Sequence, residues 1–343
     1  MKARTSSKRS LAIVLFCVIS IGLFITVFRL SPFKQSGETS RRARRPEVPS
    51  EPKRAEVTST KKAVAESDRR FSTAELSSYL QAKGHSAGAY AAVYDLTTDE
   101  TLLKEALQRH PEASALLARG AWLLSDKALA GECAKRLIAT QPDSSIGWYL
   151  SGMLALNASG DFSEAENFLV KGLERKPPVL FDEENATERR EALESLGFST
   201  QEARVKGLFG QIANAGPLKL DEAWTKIGKS NNQSLIEKGI GMTQHFMLDP
   251  RSPSGFQLAA MNSQIAMIRL LPGDQEFGDT GKTLAERKVD LEQRRKTLAK
   301  AIIFFNRSYT EGRMSPSQQV SWADDVLLRG DTAALMKVFE QQN

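Results

Sequence analysis

Gly278-Asp-Thr-Gly281-Lys282-Thr283 is the stretch of this 343-residue chain that comes nearest to a chemical motif. Glycine ahead of a Lys-Thr pair suggests a phosphate loop, in which backbone N–H groups cradle phosphate and the lysine reaches its outer oxygens. Such a loop needs glycine five residues before Gly281. That position holds Glu276, whose charge repels phosphate, and no strand pattern precedes it. The stretch therefore reads as a loop that starts a helix. The three histidines, His85, His110 and His245, lie far apart in sequence and have no HExxH or CxxC companion, so no zinc site is expected. Asp324 and Asp325 sit side by side on a predicted helix and point about 100° apart, which rules out a shared proton. Glu183 and Glu184 suit a helix N-terminus, where negative charge is favoured. No GxSxG elbow or comparable nucleophile motif is present. The sequence thus assigns no catalytic, cofactor-binding or metal-ligating residue, implies no cofactor, and leaves the binding residues unknown.

The elements that would position a site are helical. From Phe71 onward apolar residues recur three and four apart, without the two-residue alternation of strands. Ser72-Thr-Ala-Glu, Ser199-Thr-Gln-Glu and Ser315-Pro316 read as helix starts. Breaks fall at Gly84, Gly160-Asp161, Pro177-Pro178, Pro272-Gly273 and Gly330-Asp331. Within residues 71–180 a period appears, because Pro111, Pro142 and Pro177 are spaced by 31 and 35. Five residues before each lies Ala106, Leu137 or Gly172. The clearest unit runs from Ser145 to Pro177. It has Trp148 and Gly152 in a first helix, a turn at Gly160-Asp161, and Ala165, Phe168 and Gly172 in a second. The unit before it offers Leu117, Ala118 and Ala121, then Ala130, Ala134 and Leu137. Small residues let paired helices approach, and proline ends each pair because it cannot continue a helix. Residues 181–343 show no period. Helices are expected near 183–196, 200–214, 219–228, 232–247, 255–271, 283–308, 316–329 and 331–341. The 283–308 helix mixes Arg287, Lys288, Arg294, Arg295 and Lys296 with Glu286, Asp290 and Glu292, the composition of a solvated face.

Residues 1–70 differ in kind. Segment 1–10 is a basic flank with Lys2, Arg4, Lys8 and Arg9. Residues 11–28 read LAIVLFCVISIGLFITVF, without charge. As a helix this spans ~27 Å, close to the ~30 Å hydrocarbon core of a bilayer. The run outlasts a signal-peptide core and ends in Phe28-Arg29-Leu30, with no small-x-small cleavage site, so a retained single-pass anchor is expected. Segment 29–70 holds Pro32, Pro46, Pro49 and Pro52 among polar and charged residues and reads as a disordered linker. The near flanks favour an N-terminus inside the cell. Counting Arg41, Arg42, Arg44 and Arg45 nearly balances the two sides. The expected placement is the inner (cytoplasmic) membrane, with the domain periplasmic or otherwise extracytoplasmic.

Charge divides along the same line. Residues 1–30 carry five basic and no acidic residues, and 31–70 carry eleven basic against six acidic. Residues 71–343 hold 31 basic and 35 acidic, so the basic pI belongs to the anchor and linker. A nucleic-acid-binding domain usually carries its own positive footprint, and none is expected here. Cys17 lies in the apolar segment and Cys133 in a predicted helix, so no disulfide forms within the domain.

Trp148, Gly152, Ala165, Phe168, Gly172 and Pro177 match the framework of the tetratricopeptide repeat, with one extra residue in the turn, and the likeness covers about 86–177. The chain resembles that family, whose units are helix pairs stacked into a solenoid. Its layout also resembles a group of uncharacterised bacterial membrane-anchored proteins with degenerate repeats. That likeness lies in Tyr79-Leu-Gln-Ala-Lys-Gly-His-Ser-Ala, Leu103-Lys-Glu-Ala-Leu-Gln-Arg-His-Pro111, Glu191-Ala-Leu-Glu-Ser-Leu-Gly-Phe-Ser199 and Thr283-Leu-Ala-Glu-Arg-Lys-Val-Asp-Leu291. It implies the layout and no chemistry. Some tetratricopeptide domains grip a C-terminal carboxylate with Lys and Asn on the inner face of first helices. The matching positions here are Tyr149, Met153, Ala115 and Arg119, of which only Arg119 suits a carboxylate, so that mode is not expected. Trp122 and Tyr149 read as core residues before they read as a groove.

The fold expected is all-α: an N-terminal transmembrane helix, a disordered linker, a tetratricopeptide-like solenoid at 71–180 and a non-repetitive helical region at 181–343. The function expected is that of a membrane-anchored scaffold or adaptor binding an unidentified protein partner in the bacterial cell envelope, with no nucleic acid, no metal and no enzymatic activity. The alternatives are an envelope enzyme with a site in 181–343 and a self-associating structural protein.

Overall fold

A computed structural model describes residues 71–158, 162–180, 182–276 and 281–341. The flank 1–10, the apolar segment 11–28 and the linker 29–70 lie outside the described residues. Among the described residues no helix is long and apolar enough to cross a membrane.

The chain enters α1 (Thr73–Ala82) through a reciprocal cap: the Ser72 hydroxyl accepts from the Glu75 amide, and the Glu75 carboxylate accepts from the Ser72 amide. Three helix pairs follow. They are α2 (Ala87–Thr97) with α3 (Glu100–Arg109), α4 (Ser114–Leu123) with α5 (Lys127–Thr140), and α6 (Ile146–Ala158) with α7 (Phe162–Leu173). Pro111, Pro142 and Pro177 each stand just beyond the second helix of a pair. Small residues set the spacing. Gly120 of α4 faces the Cys133 thiol of α5, Gly152 of α6 leaves room for Leu169 and Phe168 of α7, and the Tyr149 ring lies over Gly172. The third pair is closed at its base, where the Ser145 amide donates to the Lys176 carbonyl and the Lys176 amide to the Asp143 carbonyl. First helices α2, α4 and α6 pack in a row.

The second half supplies α8 (Glu183–Ser195), α9 (Thr200–Lys206), α10 (Gln211–Lys229), α11 (Gln233–Leu248) and α12 (Ser254–Ile268). It ends with α13 (Leu284–Thr310), α14 (Pro316–Arg329) and α15 (Asp331–Glu340). Ser199 and Ser315 cap α9 and α14 as their sequence context predicts. Two expected spans are corrected. The 200–214 helix stops at Lys206, because the chain turns at Gly207–Gly210. The helix expected at 219–228 starts at Gln211 and runs through Pro217. Proline costs a helix one N–H bond. Here the helix is held by burial of Leu220, Ala223, Trp224 and Ile227.

Among the described residues every regular element is an α-helix, and the β-bridges are isolated at Ser144–Lys176 and Glu276–Thr283. The described residues belong to one compact unit. Helix α10 lies against α2, α4 and α6, α8 packs on α2, and α11 packs on α7. The inner face of the helix pairs is therefore covered by the chain's own second half. An aromatic cluster fills the seam: Trp122 of α4, Tyr149 of α6, Trp224 of α10, Phe246 of α11 and Phe256 of α12. Trp122 meets Phe256 edge-on at 5.5 Å between centroids, and Phe246 stacks on Phe256 at 6.1 Å. Gly216 of α10 opens the space for the Phe256 ring. A second aromatic contact, Phe305 on Trp322 at 4.4 Å, joins α13 to α14.

Candidate functional site

Asp95 lies near the end of α2 in the run Ala91-Ala-Val-Tyr-Asp95, every member of which is buried. A carboxylate there must be paired, since an isolated buried charge costs several kcal/mol. Two guanidinium groups supply the pairing. Arg119 of α4 donates Nε to Asp95 Oδ1 at 3.0 Å and Nη2 to Oδ2 at 2.6 Å. Arg189 of α8 donates Nη1 to Oδ2 at 2.9 Å. The first amide of α10, from Gln211, adds a bond to Oδ1 at 3.2 Å, and the Gln211 side-chain amide donates to the Asp95 carbonyl. Gly210 is required at this point, because a Cβ would collide with Asp95 Oδ2.

The arginines are anchored on their other sides. Arg119 Nη1 donates to the Ala115 carbonyl at 2.8 Å. Arg189 donates to the Gly207 and Leu208 carbonyls, both at 2.8 Å, which fixes the turn between α9 and α10. Burial by itself would raise the Asp95 carboxyl, but Arg119 and then Arg189 overrule it and hold it below the ordinary carboxylate range. Burial lowers Arg189, against the pull of Asp95. Two cations around one anion leave an excess of one positive charge. Arg119, Arg189 and Gly210 of this node line a cleft of about 150 Å³, whose other walls include Trp122, Ile146, Leu180, Phe209 and Ile212.

The other sequence candidates take structural places. Lys282 pairs with Asp290 at 2.5 Å, and Thr283 caps α13 in a reciprocal bond with Glu286, so Lys282-Thr283 is a helix start. Residues 278–280 of that motif lie outside the described residues. His85 and His110 do come together: His110 Nε2 lies 2.7 Å from the His85 carbonyl, and His85 Nδ1 lies 3.1 Å from the Tyr90 hydroxyl, which donates to Glu105. His245 is elsewhere, 2.7 Å from the Tyr149 hydroxyl across the α6–α11 seam, and burial lowers its pKa. Among the described residues no group of three or more His, Cys, Asp or Glu could hold a metal. Asp324 pairs with Arg204 at 2.5 Å while Asp325 pairs with Lys337 at 2.6 Å, so the two aspartates serve different neighbours. Glu183 and Glu184 lie in the first turn of α8, which Asp182 caps. Trp122 and Tyr149 are buried in the aromatic seam.

Arg119, the position suited to a carboxylate, holds one supplied by the chain itself. Asp95 and Arg189, its partners, carry a signal in the sequence. Each is a charge on an apolar stripe, Asp95 after Ala91-Ala-Val-Tyr and Arg189 between Ala186 and Ala192-Leu193. Such a charge needs a partner from another element, and the sequence does not say which. Comparison with protein families, with curated proteins and with solved structures finds no match.

Proposed function

We propose that this chain is a scaffold that residues 11–28 tether to a membrane of the bacterial cell envelope and that binds another protein through its tetratricopeptide-like helix pairs. The covered inner face directs the reading to the outer one. The observation that carries it is a cleft of about 410 Å³ on the helix pairs, with exposed Pro111, half-buried Leu129 and buried Leu107 and Leu117 as apolar lining and Lys104, Glu132 and Arg136 as charged lining. An apolar floor within a charged rim is the usual anatomy of a protein contact. The inner and outer faces of the pairs thereby divide the work: one holds the chain together, the other is left for a partner.

The test places a photo-crosslinking amino acid at Gln108, in the same cleft, of the full-length chain in intact cells. A discrete adduct is expected, and Leu129→Asp should abolish it while the chain stays folded. Absence of any adduct, or one indifferent to Leu129→Asp, would overturn the reading. Protease accessibility of the domain in intact against permeabilised cells tests its side of the membrane.

A further inference from the structure

The cleft beside Asp95 has a chemistry that the scaffold reading does not use. Its two arginine side chains are only 5% and 6% exposed. A guanidinium has five N–H groups. Three on Arg119 and three on Arg189 are engaged by Asp95 and by the Ala115, Gly207 and Leu208 carbonyls. Two remain on each without a protein acceptor among the described residues. Asp95 has both oxygens bonded by these donors and by the Gln211 amide, so it has little capacity left for them.

The acid that lines the cleft is Asp182, and it is committed elsewhere. Its Oδ1 accepts from the Glu184 and Asn185 amides at the start of α8, and its Oδ2 from the Asn185 side chain. Asp182 is exposed, so solvent screens its pull on Arg189. The remaining polar residues lining the cleft are Ser114, Gln141 and Asn185, all neutral. A second anion inside the cleft would match two cations with two anions.

Size and surface restrict that anion further. A cavity of about 150 Å³ admits a ligand of roughly six heavy atoms, the size of benzene. Ile146, Leu180 and Ile212 line it, and Val179 stands at it 62% exposed. A bare inorganic anion would leave this apolar wall unused, while a purely apolar ligand would leave the arginine N–H groups unmatched. We propose that the cleft binds a carboxylate on a short apolar chain, its oxygens on Arg119 and Arg189 and its chain against Ile146, Leu180 and Ile212. The carboxylate belongs either to a free short-chain acid or to the last residue of a peptide. Binding of this kind is independent of the outer-face contact proposed above.

The test uses the full-length chain in nonionic detergent, with 5-fluorotryptophan reporting from Trp122, a residue of the cleft wall. Butyrate should shift the Trp122 fluorine resonance saturably, and butan-1-ol, of similar shape without charge, should bind at least about tenfold more weakly, since losing one desolvated ionic contact is worth at least that factor. Arginine substitutions are poor probes because the same side chains hold Asp95. Val179→Asp and Ala213→Leu avoid the node, the first adding a repelling charge at an exposed site and the second filling the cleft from the start of α10. Both should weaken butyrate about tenfold or more. The tripeptide Ala-Ala-Val, as free acid and as amide, separates the sources. Tighter binding of its free acid than of butyrate assigns the cleft to peptide ends, and the reverse assigns it to small acids. If butyrate and butan-1-ol bind alike, if both variants titrate as the parent does, or if neither butyrate nor the peptide acid binds, the proposal is wrong.

Discussion

Asp95 collects donors from three helices, α4, α8 and α10, so a change of one atom there should be felt across the molecule. In Asp95→Asn one oxygen becomes an NH₂ group that faces a guanidinium, and two buried cations lose their counter-charge. Breaking a buried pair from one side costs roughly 3–5 kcal/mol, mostly because the remaining charge is stranded. Urea unfolding should show a loss of that order. The double variant Asp95→Asn/Arg189→Gln should lose less than the sum of its parts, as coupled neighbours do. The sign with pH follows from the depressed carboxyl. Its contribution is present above the unfolded value near 3.9 and is lost as pH falls through the lower folded value. The parent should therefore weaken on acidification below about pH 4 more steeply than Asp95→Asn. Equal acid limbs, or a loss below about 1 kcal/mol, would remove Asp95 from its central role.

At the scale of elements, what was legible in the sequence and what was not divide by the range of the interactions. Capping is local: Ser72, Ser199 and Ser315 are legible because each bonds a residue three positions on. Pairing within hairpins is nearly local, and the prolines at 111, 142 and 177 mark it. The start of α10 is less legible, because it is set by burial against other helices and not by a local signal. Pro217 removes one N–H bond, but Leu220, Trp224 and Ile227 are buried, with Trp224 against Phe246 and Ile227 against Gly239 of α11, and this outweighs it. The candidate cleft failed to show for the same reason, since Asp95 and Arg189 are 94 positions apart. A helix covering the inner face of paired helices invites the idea that it can be displaced by a partner. The burial argues against it. Trp224→Ala should cost roughly 3–5 kcal/mol, the range of large-to-small core changes. Amides in the middle of α10 should exchange with solvent only as the whole unit unfolds. Exchange in α10 faster than in α12 would mark it as a detachable strap.

Across the whole molecule the same contacts decide how it unfolds. A plain array of helix pairs is held by nearest neighbours and can lose its ends one repeat at a time. Here the pairs are bound to the second half at several points, among them Asp95 to Arg189 and Gln211, Tyr149 to His245, Asn157 to Lys226, and the aromatic seam from Trp122 to Phe256. These link positions far apart in the chain, and none survives if either half melts alone. Residues 71–180 and 181–343 should therefore unfold together. The four tryptophans sit where this can be seen: Trp122 and Trp148 on α4 and α6, Trp224 on α10, and Trp322 on α14. With 5-fluorotryptophan in the full-length chain, the folded resonances should vanish over a single urea interval. The signals of Trp148 and Trp322 are the sharpest test, because they lie in opposite halves and outside the shared seam. Loss of the Trp322 signal at a urea concentration where that of Trp148 is intact would mean that the second half is an independent domain docked on the repeats. Coincident loss would make the inner face of the helix pairs a permanent core of a single folding unit.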